Sequence, residues 1–278
     1  MSEPTNGVSE DSPSFWNQTG PRLVLFDLDD TLFAHRGAMD AGILEYAHAL
    51  GGPYAGGDPD AEIAYWTELE ERHYHSYLAG DLDYEGQRIA RARDFAARHG
   101  VALDDASASA WYTEFFTHYI GNWRLQEGAL PCLDRLAARG IRLGLITNGD
   151  LDYQLRKIER VGLTPRFEHV VASGAFGIPK PDARIFHHAC ALFGIAPTNA
   201  AYVGDRLATD AIGAAGAGLT GVWLDRTDAP PRSTAADSAA AAGVIRITSL
   251  DALPAAFTAH RSRAQEPRAE TRPPNHSN

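Results

Sequence analysis

Between Leu23 and Phe33 the chain reads Leu-Val-Leu-Phe-Asp-Leu-Asp-Asp-Thr-Leu-Phe, four apolar residues running straight into three carboxylates within four positions. An uninterrupted apolar run of this kind reads as a strand buried on both faces of a parallel sheet. The carboxylates then fall where the strand leaves the sheet, the place where open α/β sheets bind their ligands. In a continuing strand Asp27 and Asp29 would share a face and repel each other. A cation relieves that repulsion, and Mg²⁺ is the usual choice for carboxylates beside a phosphate. Taken alone, the same residues also describe a solvated acidic turn.

No comparable strand signal returns until Gly140-Ile141-Arg142-Leu143-Gly144-Leu145-Ile146-Thr147, more than a hundred residues later. A whole βαβ unit needs only about 30 residues or more, so a further folding unit is inserted. The insertion, residues 37–122, is patterned for helix throughout, with helices expected at 39–50, 60–79, 84–99 and 105–120. Gly51, Gly80 and Gly100 stand where helices stop, and Asp58-Pro59 and Asp83 where they start. In the third helix Ile89, Ala92, Phe95 and Ala96 form an apolar stripe, while Arg88, Arg91, Arg93 and Arg98 take other faces. Four such helices make a small bundle. Eight of the ten tyrosines lie between Tyr46 and Tyr119, as core aromatics or as hydroxyls lining a cleft.

From Gly128 onward helix and strand alternate: helix 129–139, strand 141–147, helix 151–161, strand 168–172, helix 182–193, strand 201–203, helix 207–215, strand 220–224, then a last strand at 244–247 and a short helix near 249–257. That order predicts a parallel sheet covered on both faces. The expected fold is α/β, a Rossmann-like parallel sheet with helices on both faces and a helical-bundle cap domain inserted after the first strand. Residues 21–36 and 123–260 form the core, 37–122 the inserted domain, and 1–20 and 261–278 are polar tails expected to be disordered.

A formal net charge of -11 argues against nucleic acid or an anionic membrane as partner, since both need a basic surface. No stretch approaches the roughly 20 apolar residues of a membrane span. The first residues lack the basic and apolar regions of a signal peptide, so a cytoplasmic location is expected. Cys132 and Cys190, far apart and each in an expected helix, read as buried reduced thiols. Of the 25 basic residues only Lys157 and Lys180 are lysine, which makes each lysine position informative.

Each core strand delivers polar residues at its carboxyl end. The first gives Asp27 and Asp29, the second Thr147-Asn148-Gly149, the third a loop with Lys180-Pro181-Asp182, and the fourth Gly204-Asp205 with Asp210 beyond. Strand ends in one parallel sheet lie side by side, so these groups converge on one crevice. Carboxylates, a hydroxyl and an ammonium suit phosphoryl transfer, which depends on positioning and charge stabilisation. A carboxylate can itself be the nucleophile, once a metal has offset its repulsion from the phosphate. Local alternatives exist for each residue: Thr147 as a helix cap, Lys180 as a surface lysine, Asp205 as an N-cap, Asp210 as a solvated helix residue. Their joint occurrence at four strand ends outweighs those alternatives. Asp30 is assigned to turn geometry, and Lys157, mid-helix beside Arg156, to a solvated face.

The order Asp27-Leu28-Asp29-Asp30-Thr31, then Thr147, then Lys180, then Asp205 with Asp210, resembles the haloacid dehalogenase (HAD) superfamily. The helical insertion after the first motif is similar to the C1-type cap of its subfamily I phosphatases. The resemblance implies Asp27 as nucleophile. It implies Asp29 as general acid and then general base, also binding Mg²⁺ through its main-chain carbonyl. Thr147 and Asn148 would hold phosphoryl oxygens, and Lys180 would bridge nucleophile and phosphate. Asp205 would be a direct metal ligand, with Asp210 in the same acidic site.

Within that family, members that cleave carbon–halogen bonds lack a carboxylate at the position of Asp29. Phosphonate-cleaving members use a cap lysine, and residues 37–122 contain none. The expected function is Mg²⁺-dependent hydrolysis of small phosphomonoesters of nucleotide or sugar-phosphate type by a monomer or homodimer. The alternatives are a phosphomutase and a catalytically silent, phosphate-responsive regulatory protein. The stretch from Tyr74 to Glu85 and the arginine-rich helix after it resemble members acting on nucleoside monophosphates or sugar-acid phosphates. A cap closing over the cleft would make Arg88, Arg91, His35 and Arg36 candidate leaving-group contacts, set against the plain role of solvated helix charges.

Overall fold

The computed structural model describes residues 20–227 and 233–265. Its strands are β1 (Leu23–Phe26), β2 (Arg142–Thr147), β3 (His169–Ala172), β4 (Ala200–Gly204), β5 (Thr220–Leu224) and β6 (Ile245–Ile247). They form one parallel sheet in the order β3-β2-β1-β4-β5-β6. β1 and β4 are buried at every residue, as strands covered on both faces must be. The strand order reverses direction at β1, which pairs with β2 on one edge and β4 on the other. A crevice outside the strand ends is expected at such a switch point.

On one face Leu23, Leu25, Ile146 and Tyr202 pack with Ile185, Phe186 and Ala189, the last three from helix Ala183–Leu192. The alternate residues Val24, Phe26, Leu145 and Val203 are equally buried, on the opposite face of the pleat. Close approach explains two sheet glycines. A Cβ on Gly144 would lie 2.7 Å from both Leu25 and the Phe193 ring, and one on Gly221 would run into the Ala211 carbonyl oxygen.

The helices, in chain order, are α1 (His35–Leu50), α2 (Pro59–Ala79), α3 (Tyr84–Arg98), α4 (Asp105–Gly121), α5 (Ala129–Ala137), α6 (Leu151–Arg160), α7 (Ser173–Phe176), α8 (Ala183–Leu192), α9 (Gly213–Gly216), α10 (Ser233–Ala241) and α11 (Leu253–Gln265). The chain divides into two units, Phe33–Leu125 and the remainder. The first holds α1 to α4, capped where the sequence indicates. Asp58 and Asp83 accept from the main-chain N–H groups of Asp60 and Gly86, and Gly80 ends α2 in the left-handed region at φ 83°. Its core is aromatic, with Trp66 against Phe95, Trp111 and Phe115 at ring separations of 5.5, 5.9 and 4.6 Å.

Three expectations need correction. α1 begins at His35, not at residue 39, because Gly37 is no break; it lies in the first turn, where a Cβ would meet the Arg124 guanidinium at 2.8 Å. The segment expected as helix 207–215 is a π-helix at Leu207–Ile212 followed by the single turn α9. Its wider turn folds Asp210 back so that its carboxylate accepts from the Arg206 N–H and packs where Gly204 has no Cβ. The tails expected at 1–20 and 261–278 fall mostly outside the described residues, but 261–265 continue α11. Cys132 and Cys190 are buried and unpaired in α5 and α8, as expected.

Candidate active site

The carboxyl ends of β1, β2 and β4 lie side by side, and the polar residues that follow them meet there. The Asp27 N–H still bonds to Val203 O at 2.9 Å, so Asp27 leaves β1 in register with β4. Beyond it the chain turns, with Leu32 N donating to Leu28 O at 3.0 Å. Asp30 makes the turn possible. At φ 59° it is the one non-glycine with positive φ among the described residues, a conformation that aspartate tolerates better than most residues. Thr31 is fully buried and ties β1 to the loop after β4 by accepting from Asp205 N at 3.0 Å.

Lys180 reaches into this group from the loop before α8. Its ammonium has three protons and three acceptors: Asp27 Oδ1 at 2.6 Å, the Tyr202 hydroxyl at 2.6 Å and Asp210 Oδ1 at 2.7 Å. Burial pulls the Lys180 pKa down, but Asp27 and Asp210 more than offset this and leave it raised. Asn148 clamps the lysine loop from the end of β2. Its amide donates to Lys180 O at 3.1 Å and accepts from Lys180 N at 2.9 Å. The helix after β2 is capped by Asp150 and not by Thr147, whose Oγ1 instead accepts from Gln154 Nε2 at 3.0 Å.

Asp27, Asp205 and Asp210 each offer an oxygen within 4.8 Å of the other two. Burial drives the Asp27 carboxyl well above the usual range against the pull of Lys180, and the charges of Asp210 and Asp205 add to the rise. Burial, with Asp210 and Asp30, pushes Asp205 up to about 7. An all-oxygen cluster of this kind can accept a divalent cation.

Four residues that the sequence reading missed or misread also belong here. Lys157, expected on a solvated face, is 1% exposed and donates to both carboxylate oxygens of Asp29 at 2.8 and 3.0 Å. Gln154, one turn earlier, donates to Asp29 Oδ2 at 3.1 Å. Tyr202 lies in the strand expected at 201–203, and its hydroxyl bonds to Lys180 and donates to Ile146 O at 2.9 Å. Arg226 follows β5 and donates to Thr31 O at 3.0 Å; the strand-end argument used for the first four strands, carried to the fifth, reaches it.

A protein-family model described as haloacid dehalogenase-like hydrolase matches residues 21–218. The chain belongs to that family. It is 40% identical over 221 residues to the phosphoserine phosphatase of Thermus thermophilus, covering 74% of this chain and 89% of that one. It is 31% identical over 214 residues to the N-acylneuraminate-9-phosphatase of Rattus norvegicus, covering 76% and 85%. The HAD member is a phosphatase, in line with these relatives. Its fold matches that of the putative HAD-hydrolase YfnB from Bacillus subtilis, solved bound to magnesium, with a TM-score of 0.67, 18% identity, and coverage of 86% and 99%.

The remaining candidates lie in the inserted unit. Arg91, a candidate leaving-group contact set against the plain role of a solvated charge, is 6% exposed. Its guanidinium donates to Gln87 Oε1 at 2.7 Å, pairs with Glu70 at 3.4 Å and lies 5.2 Å from the Tyr112 ring centroid. Arg36 also pairs with Glu70, at 2.8 Å, and His35 bonds to the Tyr119 hydroxyl at 2.8 Å. Arg88 stacks on Tyr84, 4.2 Å from its ring centroid.

Proposed function

We propose that the chain hydrolyses small phosphomonoesters through an aspartyl-phosphate on Asp27. The observation that carries this reading is the Lys180 ammonium seated between Asp27 and Asp210 at 2.6 and 2.7 Å, beside a three-carboxylate cluster. Asp27 Oδ attacks phosphorus while the ester P–O bond breaks, and Asp29, protonated for this step, gives its proton to the departing alcohol oxygen. Asp29 then takes a proton from water as the water oxygen attacks the aspartyl-phosphate. Inorganic phosphate leaves, and both aspartates return to their starting states. Lys180 fixes the orientation of Asp27. Thr147 Oγ1 and the main chain at Asn148 bind phosphoryl oxygens, the Asn148 side chain being occupied with the lysine loop.

The carboxylates of Asp27, Asp205 and Asp210 make an all-oxygen donor set that suits Mg²⁺; Asp27 and Asp205 would hold the ion, with the main-chain carbonyl of Asp29 as a further ligand. When bound, the ion offsets the repulsion between carboxylates and phosphate. The ester class is that of a small phosphorylated metabolite. The named relatives act on phosphoserine and on an N-acylneuraminate 9-phosphate. Among the described residues no helix is long and apolar enough to cross a membrane.

The test is turnover of a panel of phosphorylated amino acids, sugar acids and nucleoside monophosphates by the full chain with Mg²⁺. Asp27→Asn and excess chelator should each lower kcat by at least about 10³-fold, as expected for loss of a nucleophile or of its charge partner. Full activity in either case sinks the mechanism. Absence of turnover on every ester would favour the silent regulatory alternative.

A further inference from the structure

The chain has two lysines, and both are buried against the first acidic motif. The mechanism above uses Lys180 and leaves Lys157 without a task. A buried ammonium is costly, because it gives up its hydration before pairing returns any of that loss. An apolar side chain of the same length would fill the space more cheaply. What Lys157 adds is therefore the direction of its bonds.

Those bonds are specific. Lys157 Nζ donates to both Oδ atoms of Asp29, at 2.8 and 3.0 Å, and lies 4.6 Å from the Tyr153 ring centroid. Gln154 stands three residues earlier on α6, on the same helix face. Its Nε2 is shared among Asp29 Oδ2 at 3.1 Å, Thr147 Oγ1 at 3.0 Å and Asn148 O at 3.2 Å. The Lys157 side chain is 2% exposed, whereas that of Asp29 is 29% exposed. The pair thus grips a carboxylate whose other side reaches solvent. α6 is held in place at its start by Asp150, which accepts from Tyr153 N at 2.9 Å.

We propose that Lys157, assisted by Gln154, is a positioning residue that fixes the Asp29 carboxylate relative to Thr147 for proton removal from the hydrolytic water. The assignment rests on the phosphatase reading above. Its consequence is kinetic. The grip acts on Asp29 as a carboxylate, the form that accepts the proton of water in the second half-reaction. Without it the carboxylate rotates among its staggered conformers, and breakdown of the aspartyl-phosphate slows more than its formation.

The experiment compares wild type, Lys157→Met, Gln154→Met, Asp29→Asn and Lys157→Met/Asp29→Asn with Mg²⁺ and p-nitrophenyl phosphate. The readouts are steady-state kinetics and acid-quenched phosphoenzyme from ³²P-labelled substrate. Lys157→Met should lower kcat by roughly 10- to 100-fold, part of the ~10²–10⁴ that a placed proton-transfer group supplies. KM should not rise, and the steady-state fraction of phosphoenzyme should increase. In the Asp29→Asn background the same change should have little further effect, because Lys157 acts through that carboxylate. Gln154→Met should show a smaller loss with the same signature, and it carries the test if Lys157→Met does not fold. Wild-type kcat in Lys157→Met, an equal loss in the Asp29→Asn background, or a loss with no rise in phosphoenzyme would each overturn the assignment. A wild type that turns over with no phosphate on Asp27 instead sinks the mechanism of the preceding subsection. A labelled wild type with an indifferent Lys157→Met sinks only the role of Lys157.

Discussion

Among the described residues the buried cations of the sheet unit are lysines, whereas the buried cation of the inserted unit is an arginine. Lys180 and Lys157 each direct a compact ammonium at carboxylates, and Lys180 meets three acceptors that converge from the end of β1, from β4 and from the π-helix after β4. Arg91 shares its planar guanidinium between Glu70 and Gln87 while lying near the Trp66 and Tyr112 rings. The two side chains differ in the way these settings require. An ammonium is a point charge with three freely rotating donors, while a guanidinium is a flat fork that also stacks on aromatic faces. One unit uses charge to hold carboxylate oxygens at the strand ends, and the other uses it to join helices whose core is aromatic.

Exchanging the cations is the most severe way to break that comparison. Lys180→Arg puts a planar fork where three acceptors converge, and kcat on any phosphomonoester substrate should fall by about 10³-fold or more, with the fold retained by circular dichroism. Arg91→Lys should leave kcat within about tenfold and cost at most about 2 kcal/mol of stability through lost stacking and one lost hydrogen bond. Equal kinetic damage from both exchanges would show that the division between holding and joining is wrong.

The same contrast governs what the sequence reveals. Residues at strand ends were legible because a parallel sheet forces them together: Asp27, Thr147 and Asp205 follow three adjacent strands, and apolar runs mark where strands stop. Lys157 was not legible, because on α6 it joins Gln154 and Ile158 on the buried face, where two polar residues of three hide the amphipathic pattern. Tyr202 was hidden for the opposite reason, its ring being indistinguishable from core apolar residues until the hydroxyl finds Lys180. The π-turn at Leu207–Ile212 answers to one packing demand, that of Asp210 over Gly204, and no local propensity encodes it. In the inserted unit the helix boundaries followed from caps, but the ion group around Glu70 joins residues 35, 36, 70 and 91. No periodicity connects positions on three different helices.

Close packing offers a second, smaller contrast. Both units contain a glycine that permits backbone approach: Gly221 of β5 against Ala211 O, and Gly42 of α1 against the Tyr119 backbone at 2.9 Å from a built Cβ. A strand hydrogen-bonded on both edges cannot retreat, whereas two helices can separate by a few tenths of an ångström. Gly221→Ala should therefore cost about 3 kcal/mol in urea unfolding and Gly42→Ala about 1–2 kcal/mol, within the range for overpacking. Gly221→Ala should also reduce activity, since Ala211 adjoins Asp210. The reverse ranking would mean that the helical unit is the less forgiving of the two.

An effect confined to low pH comes from Glu70, which sharpens the account of the inserted unit. Burial raises its pKa, but the hydrogen bond with His35 and the charges of Arg36, His35 and Arg91 together outweigh burial and hold it at about 2, against 4.5 for the free group. Between those two values the unfolded chain binds more protons than the folded one, so stability rises with pH across that window. The contribution is fully present above about pH 4.5 and is lost as pH falls toward 2. The bare shift corresponds to about 3 kcal/mol, and because the side chain keeps 19% exposure a screened value of about 2 kcal/mol is expected. Urea unfolding of wild type and Glu70→Gln from pH 6 down to pH 3 should show their difference shrinking as acid is added. A difference independent of pH would mean that Glu70 contributes by packing alone, and that the arginines around it join the helices without using its charge.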